Sequence, residues 1–140
     1  IKNLIDSLEE RVIELNFIKP IFIKISPDES LEVIKSTAEY IKNSSLTGLI
    51  ISNTTTNREM LKNLKYKDFQ GGLSGSPLME KSTSLLKKIN EEFPELPIIG
   101  VGGVMNKLDF DNKLESGASL VQIYTGFIIS GPQIVSDILN

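Results

Sequence analysis

The sequence contains no cysteine and no histidine. Without cysteine the chain has no disulfide and no thiolate metal site. Without histidine it lacks the usual metal ligand and the side chain that most often serves as a general base. We therefore expect no metal centre. The absence of cysteine does not by itself identify a redox compartment.

A long apolar run and an excess of positive charge are also missing. No stretch approaches the roughly 18 to 20 apolar residues that span a bilayer, and the first residues lack the pattern of a signal peptide. We expect no membrane segment among these residues. The formal net charge is −3. Non-specific nucleic-acid binding needs clustered positive charge, so nucleic acid is not an expected partner.

The remaining composition is that of a folded protein, with 40% hydrophobic and 24% charged residues in a chain of 140. Four short apolar runs predict strands, at residues 21–25, 48–52, 97–101 and 120–124. Helical patterns lie around them, at 3–15, from a cap at Asp28 or Ser30 to about 43–45, around 85–93, at 108–116 and at 132–139. This alternation predicts βα units on a parallel sheet.

The apolar stripes predicted for the first three helices are Leu4, Leu8, Val12 and Leu15; Leu31, Ile34, Ala38 and Ile41; and Leu85, Leu86, Ile89 and Phe93. Gly117 is placed to end the fourth helix. The first apolar run, with Lys24 as its odd member, suits a strand buried on both faces.

Two of the predicted strands end in glycine-bearing loops. Residues 97–103 read Pro-Ile-Ile-Gly-Val-Gly-Gly, and residues 120–126 read Leu-Val-Gln-Ile-Tyr-Thr-Gly. A backbone without Cβ atoms can approach a ligand closely and present its N–H groups to an anion. We therefore expect a phosphate group as the ligand. Two such loops in succession resemble the phosphate site that follows the last two strands of a TIM barrel.

A complete TIM barrel has eight strands and about 250 residues, whereas four strands are predicted here. We therefore predict an α/β fold that forms the C-terminal half of a TIM (β/α)8 barrel, with residues 1–140 as a single partial domain of four βα units. The first residues already read as a helix, which favours a start in mid-domain. Both sheet edges would be open to another half or another chain. The alternative is a small open α/β sheet that is complete in itself.

Several residues and loop motifs, taken together and in order, resemble the motifs of one known protein family. They are Lys24, Ser-Asn-Thr-Thr at 52–55, Gly-Gly-Leu-Ser-Gly-Ser-Pro-Leu at 71–78, Ile-Gly-Val-Gly-Gly at 99–103 and Gln-Ile-Tyr-Thr-Gly at 122–126. In order and spacing, from about residue 22 to residue 140, they resemble the C-terminal half of the dihydroorotate dehydrogenase family. Asn-Thr-Thr, Tyr-Thr-Gly and Gly131-Pro132 favour its class 2, quinone-reducing branch.

The resemblance implies an FMN-containing TIM barrel that oxidises dihydroorotate to orotate in pyrimidine biosynthesis and passes the electrons to a membrane quinone. Class 2 members are peripheral proteins of the bacterial inner membrane or the mitochondrial inner membrane. The family's serine base, its first flavin loops and its quinone-binding N-terminal helices would all lie upstream of Ile1. The resemblance therefore implies no catalytic base in these residues, and we expect no turnover from them alone.

The resemblance also assigns binding roles. Lys24 would reach the flavin ring near N1 and the C2 carbonyl, and Ser52 stands where relatives usually carry threonine. The remaining assigned residues fall into three groups: Ser74 and Gly75 along the flavin, Gly102, Gly103, Tyr124 and Thr125 at the FMN phosphate, and Asn53 and Thr54 at orotate.

Each of these residues can also be explained by local structure without any ligand. Lys24 suits a solvated strand end, Asn53 and Thr54 are common turn formers, and any one glycine suits a tight turn. Asn106-Lys107 departs from the family's frequent Ser-Gly, and the helix after it is less apolar than usual. Two other functions stay open: a non-catalytic half-barrel that binds a phosphorylated ligand or a partner half, and another phosphate-binding barrel enzyme, such as one acting on a sugar phosphate.

Overall fold

The computed structural model of the chain describes residues 2–61, 65 and 67–140. Four strands alternate with helices along these residues. In chain order the elements are α1 (Lys2–Glu14), β1 (Phe22–Ile25), α2 (Leu31–Lys42), β2 (Gly48–Ile51), a 3-10 turn (Ser76–Leu78), α3 (Met79–Glu92), β3 (Ile98–Val101), α4 (Lys107–Glu115), β4 (Leu120–Gln122), α5 (Thr125–Ser130) and α6 (Gln133–Leu139).

The strands form one parallel sheet in the order β1-β2-β3-β4. One row across the register runs from Ile25 to Ile51, Gly100 and Val121. Each strand therefore pairs with its predecessor in sequence. Right-handed crossovers in one constant direction place the connecting helices on one face of the sheet. This unreversed order is that of a barrel wall, whereas a doubly wound sheet reverses direction. The predicted parallel sheet of four βα units is confirmed.

The main core lies between the sheet and the helices α2 and α3. Ile34, Ala38 and Ile41 of α2 and Leu86 and Ile89 of α3 are buried. They pack on the strand residues that point to the same face, which include Leu49, Ile51 and Ile98. Burying one such side chain contributes about 1.5 to 3 kcal/mol relative to leaving it exposed. The helical stripes read from the sequence thus fix how α2 and α3 sit on the sheet.

Two features of the sequence prediction are wrong in detail. The stripe predicted for the first helix included Leu4 and Leu15, but both are exposed and Ile5 is the buried residue of α1. The first strand was predicted to be buried on both faces, but Lys24 on β1 is exposed. Its side chain projects from the sheet face opposite the helices, because it pairs in register with Ile50 rather than with Ile51.

The helix ends follow local capping chemistry. Ser30, and not Asp28, caps α2, since its Oγ accepts the Val33 N–H at 3.3 Å. Gly117, with φ +103°, follows α4 as predicted. Its N–H donates to the Leu114 carbonyl at 2.9 Å, and the next N–H donates to the Lys113 carbonyl at 3.1 Å. This is the Schellman pattern, in which a left-handed residue ends the helix.

The last part of the chain differs from the prediction. β4 ends at Gln122, two residues earlier than expected, and a short helix not predicted from the sequence, α5, follows at Thr125–Ser130. Gly131, with φ +67°, separates it from α6, and Pro132 is the residue before that helix rather than its first member. No helix in the described part of the chain is long and apolar enough to cross a membrane.

Candidate functional site

A cleft lies at the carboxyl ends of the four strands, with a volume of about 240 Å³. The ten residues assigned from the sequence to flavin or orotate all line it, although they come from five separate stretches of chain. The full lining is Lys24, Ser52, Asn53, Thr54, Ser74, Gly75, Leu78, Val101, Gly102, Gly103, Val104, Gln122, Ile123, Tyr124 and Thr125. Parallel strands explain this convergence, because their carboxyl ends meet at one edge of the sheet.

The end of β2 is held by its neighbours on both sides. The peptide between Ile51 and Ser52 is cis. The N–H of buried Ser52 donates to the Val101 carbonyl at 3.0 Å, and the N–H of Asn53 donates to the Ile25 carbonyl at 2.8 Å. The Asn53 side-chain oxygen accepts the N–H of Thr54 at 2.9 Å. The backbone at Asn53 and Thr54 is thereby fixed between β1 and β3 while both residues stay exposed.

The loop after β3 needs glycine at two successive positions. Gly102 and Gly103 have φ values of +108° and +86°. A Cβ on Gly102 would lie 2.9 Å from Leu78 Cδ2, and a Cβ on Gly103 would overlap the backbone of Met79 at the start of α3. Side chains are therefore excluded on steric as well as conformational grounds. Both glycines pack on the start of α3 and line the cleft.

The loop at 71–75 closes another side of the cleft. Thr125 donates its hydroxyl to the Ser74 hydroxyl at 3.0 Å. A Cβ on Gly75 would lie 3.2 Å from Thr125 Cγ2, and a Cβ on Gly72 would overlap the Thr54 side chain. The glycines here allow the loop to pack directly on the residues after β2 and β4.

An ionic cluster that the sequence analysis missed ties together the loops after β1 and β2 and helix α3. Asp28, after β1, accepts hydrogen bonds from the Lys81 ammonium of α3 and from the Thr55 hydroxyl. It also accepts the N–H and hydroxyl of Thr56 at 2.7 and 2.9 Å. Burial raises the pKa of Asp28, but these hydrogen bonds outweigh burial and hold it well below its usual range. The sequence signal was ambiguous, because an aspartate before a helix also predicts a cap.

A second missed group is Lys113, on the inner side of α4. It is fully buried, and its ammonium donates to the Ser82 hydroxyl of α3 at 2.6 Å. Ser82 in turn donates to the carbonyl of Gly102 at 3.0 Å. Burial lowers the pKa of Lys113 to about 8, against the opposing effect of Asp109. The low apolar content of this helix was the only sequence signal.

The chain matches one family model and several curated proteins of the same name. A model of the family described as dihydroorotate dehydrogenase matches residues 2–140. Dihydroorotate dehydrogenase (quinone) of Dichelobacter nodosus is 46% identical over 121 residues, which are 86% of this chain and 36% of that protein. The enzyme of the same name from Psychromonas ingrahamii is 45% identical over 132 residues, which are 94% of this chain and 39% of the relative.

The fold comparison agrees. The crystal structure of the dihydroorotate dehydrogenase of Eimeria tenella in complex with ferulenol superposes with a TM-score of 0.78 and 35% identity, over 85% of this chain and 32% of that one. This chain thus spans little more than a third of the length of the two curated relatives. Since the family model covers nearly every residue and both relatives exceed 40% identity, the chain belongs to the dihydroorotate dehydrogenase family.

Proposed function

We propose that these residues form part of an FMN-dependent enzyme that oxidises dihydroorotate to orotate with a quinone as electron acceptor, in pyrimidine biosynthesis. Within it, this chain supplies the FMN phosphate site, part of the flavin site and part of the orotate site. The observation that carries the proposal is the convergence of all ten assigned residues on one cleft, in a chain whose relatives are named dihydroorotate dehydrogenase (quinone).

The cleft fits a flavin nucleotide in its chemistry. Gly102, Gly103 and Thr125 line the cleft, where backbone N–H groups and a hydroxyl suit a phosphate. Leu78, Val101 and other apolar side chains offer a surface for a ring. The volume of about 240 Å³ is below the roughly 300 to 1,000 Å³ of complete ligand sites. A partial site, closed by further chain, accounts for that difference.

The roles of the individual residues follow from their chemistry. FMN, when bound, supplies the acceptor for the hydride that leaves the substrate. Lys24 is an exposed cation at the mouth of the cleft, where it would stabilise negative charge on the flavin ring. Asn53 and Thr54 present an amide and a hydroxyl, which suit the alternating donors and acceptors of orotate.

The sheet itself favours a longer barrel. On the face opposite the helices, the row Lys24, Ile50, Ile99 and Leu120 includes two exposed side chains, and Leu120 is 61% exposed. β1 and β4 are the outer strands of the sheet. We propose that four more strands pair with these edges and cover this face, and that the general base and the quinone site belong to that other half. The whole enzyme would lie peripherally on a membrane.

The experiment that tests the site assignment is a substitution that separates the two ligands. Asn53→Ala should weaken orotate binding about tenfold, the equivalent of one lost ligand hydrogen bond of about 1.4 kcal/mol, and leave FMN affinity nearly unchanged. Isothermal titration of both ligands measures this. Asn57→Ala, in the same loop but outside the cleft lining, is the control and should leave both affinities unchanged.

Equal loss of both ligands in Asn53→Ala would contradict the assignment. Binding of inorganic phosphate without FMN or orotate would instead favour a module for another phosphorylated ligand. The glycine loop, considered alone, supports that second function.

A further inference from the structure

Lys113 is a buried cation that none of the proposed roles uses. Its side chain passes beside Gly100 of β3, where a Cβ would lie 3.3 Å from Lys113 Cδ. Among the described residues no carboxylate lies within 4.0 Å of its ammonium. Burying a charge without a close counter-ion is costly, so this position calls for a compensating anion or a specific use.

The ammonium is linked to the cleft through one side chain. Lys113 donates to Ser82 Oγ at 2.6 Å. The Ser82 hydroxyl has two acceptors in reach, the Gly102 carbonyl at 3.0 Å and the Met79 carbonyl at 3.2 Å, and Gly102 is the nearer. In a trans peptide the carbonyl and the following N–H point in opposite directions. Holding the Gly102 carbonyl on Ser82 therefore directs the N–H of Gly103 away from Ser82, and Gly103 itself lines the cleft.

We propose that Lys113 is a positioning residue for anion binding: through Ser82 it fixes the peptide between Gly102 and Gly103, and the phosphate dianion bound beside that peptide balances its buried charge. This inference rests on the proposed function, since it takes the FMN phosphate as the anion. It makes phosphate binding and protonation of Lys113 mutually dependent.

The elements packed on α4 bring few charged groups near Lys113. β4 carries no ionisable side chain, and the one charged residue of α6, Asp137, is exposed and accepts a hydrogen bond from Gln133. From α3 it meets the Ser82 hydroxyl, and from β3 and its loop it meets Gly100 and the Gly102 carbonyl, none of them ionisable in this range. Asp109, on its own helix, is the charged group that acts on it, and one Asp109 oxygen already accepts the Met105 N–H at 3.0 Å. A bound dianion should raise the pKa of Lys113 above its ligand-free value of about 8.

The test is the pH dependence of FMN affinity between pH 7 and 9.5, where a phosphate monoester with a second pKa of about 6 stays a dianion. For a rise of about one pKa unit on binding, affinity should fall about tenfold across this range. Lys113→Met should bind about tenfold more weakly at pH 7 and show a flat profile. Lys88→Met, which removes an exposed lysine from α3, is the matched control and should keep the slope.

Calorimetry of the unsubstituted chain at pH 8.5, in two buffers of different ionisation enthalpy, gives an independent readout. FMN binding should take up a fraction of a proton. Binding without proton uptake, or the same pH profile in Lys113→Met, overturns the inference and leaves the proposed function intact. Failure of both FMN and inorganic phosphate to bind overturns both.

Discussion

At the scale of single residues, the candidate site depends on where the backbone tolerates no side chain. Gly102 and Gly103 combine positive φ with contacts that a Cβ would overlap or crowd, whereas Gly71, with φ +99°, has open space around it. The sequence does not distinguish the two kinds of glycine, because all three stand in short glycine-bearing segments that are typical of turns. Only the packing separates a glycine that shapes a ligand site from one that shapes a loop.

Gly103→Ala tests this distinction. The substitution adds left-handed strain of about 1 to 2 kcal/mol and also forces Met79 at the start of α3 to move. We expect FMN affinity to fall by at least tenfold, measured by quenching of flavin fluorescence. Gly71→Ala carries similar strain outside the cleft and should lower the free energy of unfolding without changing affinity. Equal affinity in the two variants would contradict a phosphate site at Gly103.

At the scale of elements, short polar clusters join the loops that the sheet brings together. The sequence predicted the strands and the stripes of α2 and α3 because their periodicity is set by burial on one face. It did not predict α5, whose six residues are too few for a helical period. It also did not predict the partners of Asp28 or Lys113, because those contacts join residues 53 and 31 positions apart.

Asp28→Asn should loosen the loops after β1 and β2. The folded pKa of Asp28 lies below its unfolded value. Its stabilisation is therefore present above the unfolded pKa, near 4, and is lost progressively as pH falls from there through the lower folded pKa. We expect the substitution to lower the free energy of unfolding by about 2 kcal/mol at pH 7 and to have a smaller effect near pH 3. Urea denaturation at both pH values measures this.

Asp137→Asn, at an exposed position on α6 that bonds only Gln133 among the described residues, is the control. It should change stability little at either pH, as surface pairs usually do. A loss for Asp28→Asn that is the same at pH 3 and pH 7 would show that the carboxylate charge is not what holds the loops.

At the scale of the whole molecule, four βα units in sequential order make a wall with one covered face and two outer strands. The sequence predicted this architecture, and the ten residues that it assigned to ligands lie among the fifteen that line the cleft. It could not predict which cleft residues are exposed, because exposure depends on what lies across the sheet. Lys24 is an example. The sequence predicted a strand buried on both faces, but the Lys24 side chain is exposed and projects from the face opposite the helices.

We have proposed that this chain carries the flavin and orotate contacts of a dihydroorotate dehydrogenase. A spectral titration of the chain with FMN and then with orotate tests this directly. We expect one FMN per chain and a shift of the flavin absorption band when orotate binds beside the ring, with no shift on adding a sugar phosphate. If the absorption band of bound FMN does not shift with orotate, or shifts equally with the sugar phosphate, the proposed site is contradicted.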